Sequence, residues 1–137
     1  MSDWNDVAIR NGLASKLAEI TDQTAHPYLQ SNPIVPCSYV FADAVTFDVT
    51  NAGGLDRVPY TVRVLVGTLD STAAQELLAS YRGRNGAKSI KTKLEEDMTL
   101  GGVCHDVTVR SVSPDQLFTF EGGGPYLGAD FTVDVYA

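Results

Sequence analysis

Val45, Phe47 and Val49, then Tyr60, Val62, Val64 and Val66, and near the end Phe131, Val133 and Val135, each fall on every second residue. Successive side chains of an extended chain point to opposite faces, so this spacing builds strands that are apolar on one side. Such a face has to be covered, and segments of helical period supply the cover. Val7, Ile9, Leu13, Leu17 and Ile20 predict a first helix to about Thr21, capped by Ser2 or Asp3. Gly12 inside it costs roughly 1 kcal/mol relative to alanine, which points to close packing there or to a loosely held first turn. STAAQELLASYRG, residues 71–83, predicts a second helix: Asp70 or Ser71 caps it, Ala74, Leu77, Leu78 and Tyr81 form its stripe, and Gly83 stops it. SIKTKLEED, residues 89–97, with Ile90 and Leu94 at i, i+4, predicts a short third one.

Between these, HPYLQSNPIVPCS carries Pro27, Pro33 and Pro36 and reads as an extended connection. NAGGLDR, residues 51–57, is longer than a tight turn and reads as the projecting tip of a hairpin between strands at 45–50 and 60–66. After the third helix, VCHDVTVRSV, QLFTFEG and GADFTVDVYA read as three more strands, with EGGGPYLG turning between the last two. The order α-β-β-α-α-β-β-β predicts class α+β: an antiparallel or mixed sheet with a projecting hairpin and helices packed on one face. A chain of 137 residues, 44% hydrophobic, is expected to make a single domain over residues 1–137.

The net charge of −7 bears on partners: ten basic residues scattered among seventeen acidic ones do not make a surface that grips nucleic-acid phosphates. The opening MSDWNDVAIRNGLASK has no basic region leading into an apolar run, and no later stretch has the length of a membrane span. A cytosolic protein without membrane attachment is the expectation. Cys37 and Cys104 are the only cysteines and are expected to be buried free thiols.

Cys104, His105 and Asp106 spell the three side chains of a thiol nucleophile, its base and an orienting carboxylate. On a strand, however, His105 shares a face with Val103, Val107 and Val109, while Cys104 and Asp106 share the other with Thr108 and Arg110. The base then cannot lie between thiol and carboxylate, and His105 is expected at the margin of the apolar face. Two histidines and two cysteines without CxxC or HxxxH spacing give no metal site, and Glu95, Glu96 and Asp97 read more simply as a solvated run than as a cation site. The glycine clusters lack a following GK[ST], and no GxSxG elbow is present. The sequence therefore predicts no enzyme, no cofactor and no metal. Thr46, Asp48, Thr50, Thr61, Arg63, Thr108, Arg110, Thr132, Asp134 and Tyr136 would line the other side of the strands, as an ordinary solvated face or as a surface for a neighbour. The third helix has its charges inverted against the dipole, Lys88, Lys91 and Lys93 early and Glu95, Glu96 and Asp97 late, at about 0.3 to 1 kcal/mol each. That arrangement suits a partner of opposite polarity.

VRVLVGTLDSTAAQELLASY, then KSIKTKLEEDMTLGGVCHDVTV, and finally LGADFTVDVYA resemble the tail terminator proteins of long-tailed bacteriophages. The matching features are a strand running into an Asp-capped helix, a short helix ending Leu-Glu-Glu-Asp, Thr-Leu-Gly-Gly before a strand, and Tyr-Leu-Gly-Ala before the last one. The resemblance covers roughly residues 5 to 136. It implies a ring, usually of six subunits, that caps the tail tube at its head-proximal end in the virion, stops polymerisation and joins the head-completion proteins, while DNA passes through without specific binding. It carries over no catalytic or cofactor residue. Within such a ring, Lys88, Lys91 and Lys93 of one subunit are expected to face Glu95, Glu96 and Asp97 of the next. Ala52, Gly53, Gly54, Leu55, Asp56 and Arg57, together with the stretch from His26 to Val35, are the expected contacts to tube or connector. The rival readings are another head-tail connector or tail-tube protein, and a small-ligand-binding or hydrolytic α+β domain with a pocket near His105 or Cys104.

Overall fold

The computed structural model describes residues 4–20, 23–29, 34–45, 47, 56–68, 71–120 and 123–137. The architecture is α+β: among the described residues three helices lie against one face of a mixed, six-stranded sheet. Helix α1 (Asp6–Ala18) is capped by Asn5, whose side chain accepts from the Ala8 N–H at 3.1 Å; the expected cap at Ser2 or Asp3 lies outside the described residues. Its buried face is Ile9, Leu13, Ala14 and Leu17, while Val7, assigned to that stripe by spacing, is 51% exposed. The helix ends at Ala18, short of the expected Thr21. Close packing explains Gly12: a Cβ there would stand 3.0 Å from the Leu100 Cβ. Helix α2 (Thr72–Arg82) has Ser71 as its cap and buries Ala74, Leu78 and Tyr81, as its spacing predicts. Helix α3 (Ile90–Glu95) is capped by Ser89 and buries Ile90 and Leu94.

The strands are β1 (Thr24–His26), β2 (Cys37–Ala42), β3 (Arg57–Gly67), β4 (Asp106–Val112), β5 (Gln116–Phe120) and β6 (Gly123–Tyr136). The central pair is β3 and β6, antiparallel from Arg57 opposite Tyr136 to Gly67 opposite Leu127. Strand β2 flanks β3, and β1 runs parallel to β2 at the edge. On its other side β6 serves two partners end to end, β4 along residues 131–136 and β5 along its first half.

The hairpin differs from the expectation. The strand before β3 that pairs with it antiparallel is Cys37–Ala42. Val45 and Phe47 lie outside any strand; residues 46 and 48–50 are not described. The segment expected to be an extended connection thus starts on the last residue of β1, His26, and ends in the first residues of β2, Cys37 and Ser38. Asp56 and Arg57, assigned to a projecting tip, belong to the body of the sheet. Asp56 is buried and exchanges backbone hydrogen bonds with Ala137, and its carboxylate accepts from Trp4 Nε1 at 2.8 Å. The tip residues Ala52, Gly53, Gly54 and Leu55 lie outside the described residues.

The main core lies between the helices and the inward side chains Val40, Val58, Tyr60, Val62 and Val64 on one half, and Ala129, Phe131, Val133 and Val135 on the other. Asp6 ties α1 to this layer by accepting from the Tyr60 hydroxyl while pairing with Arg10 at 3.0 Å. Gly128 lets β3 and β6 close: a Cβ there would fall 2.2 Å from the Val64 carbonyl oxygen, which is backbone and cannot swing aside. Gly128→Ala is therefore expected to lower unfolding stability by about 2 kcal/mol or more, read from the urea midpoint. A loss below about 0.5 kcal/mol would mean that the central pair can open without penalty.

Candidate interaction surface

The side of the sheet away from the helices is built by the alternate residues of β2, β3, β5 and β6. Only part of it is wet. Cys37, Tyr39 and Leu65 are fully buried there, flanked by half-buried Phe41, Phe118, Phe120 and Tyr126, which form a second apolar cluster. Arg63 stands in the middle. Its guanidinium grips the Asp130 carboxylate at both ends, Nε at 2.8 Å and Nη2 at 3.0 Å, and lies 4.1 Å from the Phe118 ring centre and 5.1 Å from that of Phe41. Register makes this possible, since Arg63 is directly opposite Asp130 across the β3–β6 pair. The fork-to-fork geometry and the stacked rings fix one rotamer, and the Asp130 carboxylate pushes the guanidinium pKa up still further.

Farther along the same face, Asp134 is completely buried beneath two arginines, Arg57 at 3.2 Å and Arg110 through its Nε. Among the described residues its Oδ1 has no hydrogen-bond donor. Two guanidinium groups over one carboxylate leave a local positive surplus. Of the residues expected on a solvated face, Thr61 and Asp134 are instead buried, Arg63, Thr108, Thr132 and Tyr136 are half-buried, and Arg110 is exposed; Thr46, Asp48 and Thr50 lie outside the described residues.

The charged run of α3 finds partners within the chain. Lys91 Nζ meets Glu95 at 2.6 Å and donates to the Val109 carbonyl at 3.2 Å, while the Val109 N–H donates to Glu95 at 2.9 Å. This pair occupies the outward-facing backbone of edge strand β4, where an open ladder invites association. Burial alone would raise the Glu95 carboxyl, and the Lys91 ammonium with the Val109 N–H outweighs it, holding the group below the usual carboxylate range. Lys93 lies between Glu96 at 3.4 Å and Glu19 at 3.7 Å, and Lys16 of α1 bridges the same two acids. Asp97 instead shapes the following turn, accepting from Thr99 and from the Gly101 N–H at 2.9 Å. Lys88, at the approach to α3, is half-buried. The structure thus pairs Lys91 with Glu95 and Lys93 with Glu96 inside one subunit, and any contact between subunits through these four has to exchange partners.

That turn also decides the Cys104-His105-Asp106 triplet. Thr99 O accepts from the N–H groups of Gly102, Val103 and Cys104, and β4 begins only at Asp106. Cys104 consequently points into the main core, and His105 is exposed rather than at the margin of the apolar face. Burial pushes the Cys104 thiol up to about 11, and the Cys37 thiol likewise, the reverse of what an attacking thiolate requires. Among the described residues no group of acidic, histidine and cysteine side chains is placed to hold a metal ion, and no helix is long and apolar enough to cross a membrane. Two open clefts, of about 240 and 350 Å³, flank α3, and neither is lined by His105 or Cys104.

Sequence reasoning missed the aromatic cage of Arg63. The alternation of Phe118 and Phe120 in QLFTF carries a hint of it, but only register brings those rings to Arg63. Comparison with protein-family models and with curated proteins finds no match to this chain.

Both thiols have folded-state values raised above the ordinary 9.0, so their contribution to stability is complete below about pH 9 and is lost as pH rises toward 11. Glu96, lowered first by Lys16, and Asp97, lowered first by the Thr99 hydroxyl, act oppositely: their contribution is present above the ordinary carboxylate range and fades as pH falls through it. Thermal unfolding from pH 3 to 11 is expected to give a dome falling at both ends, and Cys37→Ser with Cys104→Ser is expected to flatten its alkaline limb. An unchanged alkaline limb in that double variant would assign the loss to other groups. Lys91→Ala with Glu95→Ala, which strips the cover from Val109, is expected to lower stability by about 1 to 2 kcal/mol in urea titration. No measurable change would mean that water replaces the pair at no cost.

Proposed function

We propose that this chain is a structural virion protein whose copies close into a ring, six by the pattern of the family it resembles. The ring caps a phage tail tube, stops its growth and presents a joining surface to the head-completion proteins, with DNA passing through unheld. The observation that supports this best is the helix-free face. A half-dry sheet surface, with a caged arginine and aromatic neighbours already fixed, is what a subunit needs to pack on identical copies. The net charge of −7 agrees with a channel along which DNA slides without sticking. The assembly forms in the host cytoplasm and resides at the head-proximal end of the tail.

In this ring the α3 run of one subunit meets that of the next, exchanging some of its internal pairs: Lys88, Lys91 and Lys93 toward Glu95, Glu96 and Asp97. The segment leading into Asp56 and Arg57 contacts tube or connector. Sedimentation over a range of concentrations is expected to show six copies of 14.7 kDa, about 88 kDa, with tubes of the same virion capped and unable to grow. Lys91→Glu with Lys93→Glu is expected to leave folded monomers that do not close the ring. A strict monomer that leaves tube growth untouched would overturn the proposal, and a particle that fills a head portal or itself polymerises would move the chain to a connector or tail-tube role.

A further inference from the structure

A cleft of about 240 Å³ opens between the end of α2, the turn after it and the irregularity in β4 where register shifts between Val109 and Ser111. Its rim carries Arg82, Arg84, Lys91 and Arg110, four of the chain's ten basic side chains, over a floor that includes Val112 and Phe131. Among the described residues no acidic one lines it. In a chain of net charge −7 this concentration of cations runs against the overall field.

The nearby carboxylates do not cancel the rim. Asp115 reaches Arg82 at 3.6 Å in an exposed pair, which has little hold in water. Glu95 holds Lys91 while turned toward the Val109 backbone, and buried Asp134 is shared between Arg110 and Arg57. Arg84 makes no close ion pair among the described residues, although it feels the charge of Glu95, with which it borders the adjoining cleft. The carbonyl end of α2 offsets about half a charge, and a positive surplus remains. The apolar floor excludes water on one side, so charges on the rim act on an occupant more strongly than they would on a flat surface.

We propose that this cleft is a binding site for a compact, multiply charged oxyanion, a phosphate group or a small polycarboxylate. The volume is below that of a drug-sized pocket and suits one or two anionic groups. Two or more guanidinium forks supply paired N–H donors matched to such oxygens, and Lys91 adds a point charge. All four cations belong to one subunit, so binding can be read on the isolated chain; Lys91 is shared with the proposed ring contact, whereas Arg82, Arg84 and Arg110 are not.

The test is titration of ¹⁵N-labelled protein with inorganic phosphate and, separately, with citrate, each against sodium chloride at matched ionic strength. The amides of Gly83, Arg84, Arg110 and Ser111 are expected to shift and saturate with one or both anions and not with chloride. Arg84→Glu is expected to weaken binding at least about ten-fold, and Arg84→Lys to keep it within about three-fold, because charge survives there without the fork. Arg84 is exposed, so the variant keeps the fold; Arg82→Glu provides a second reversal with the same expected loss. Tighter phosphate assigns the site to phosphate groups, and tighter citrate to carboxylates. Shifts equal to those in chloride, or undiminished binding in both reversals, would overturn the proposal.

Discussion

Everything in this fold hangs on the pairing of β3 with β6. It joins residues about seventy apart in sequence, and its central stretch is covered on both sides, by the helical layer and by the second apolar cluster. Gly128 sets how closely the two strands approach, and their register sets which side chains meet. One register places Val62 opposite Phe131 in the main core and Arg63 opposite Asp130 on the far side. A slip by one residue would turn Arg63 into the core and Val62 toward the rings, so burial on both faces enforces the ion pair. The Arg63–Asp130 contact is thus a consequence of packing as much as a source of stability, which is how partly buried charge is tolerated without a large desolvation penalty.

The helical layer extends that logic to the sheet's edges. Helix α3 is short, and Lys91 in its first turn and Glu95 at its end oppose its own dipole while only Lys93 in the last turn agrees with it, which alone would make it a marginal element. Its position repays this. Ile90 and Leu94 are buried, and Lys91 with Glu95 reaches the exposed backbone of β4. The inversion places a donor one turn before an acceptor along the helix, and the Val109 carbonyl and N–H require one of each. A run that looks like an unpaired charge patch serves as the cover of an edge strand.

This bears on what was legible in the sequence. Helix α2 could be read because cap, stripe and stop agree at Ser71, Leu78 and Gly83, and strands β3 and β4 because one face is markedly more apolar than the other. Strand β2 could not be read from period. Cys37, Ser38, Tyr39 and Val40 are all buried, so no alternation marks them, and three nearby prolines argue for a connection. Val45, Phe47 and Val49 alternate, and Val45 and Phe47 nonetheless lie outside the sheet, because alternation states a preference that only a free partner strand can satisfy. His105 illustrates a further limit: parity along a strand holds only from where the strand begins, and the turn shaped by Asp97 delays β4 to Asp106. The cage of Arg63 and the basic cleft depend on register and on distant segments, and no local pattern encodes either.

On the ring reading, the two surfaces differ in what they offer a neighbour. The α3 charges are already committed, so a contact through them trades one ion pair for another in water and gains little net energy. The helix-free face is different: Arg63 is held by Asp130, and Phe41 and Phe118 are stacked on it before any partner arrives. A partner seated there buries aromatic area without first having to order long side chains, and that saved entropy is what separates a useful interface from mere contact. The energy of subunit packing therefore belongs to the sheet face, and the α3 charges set which neighbour and which orientation are accepted.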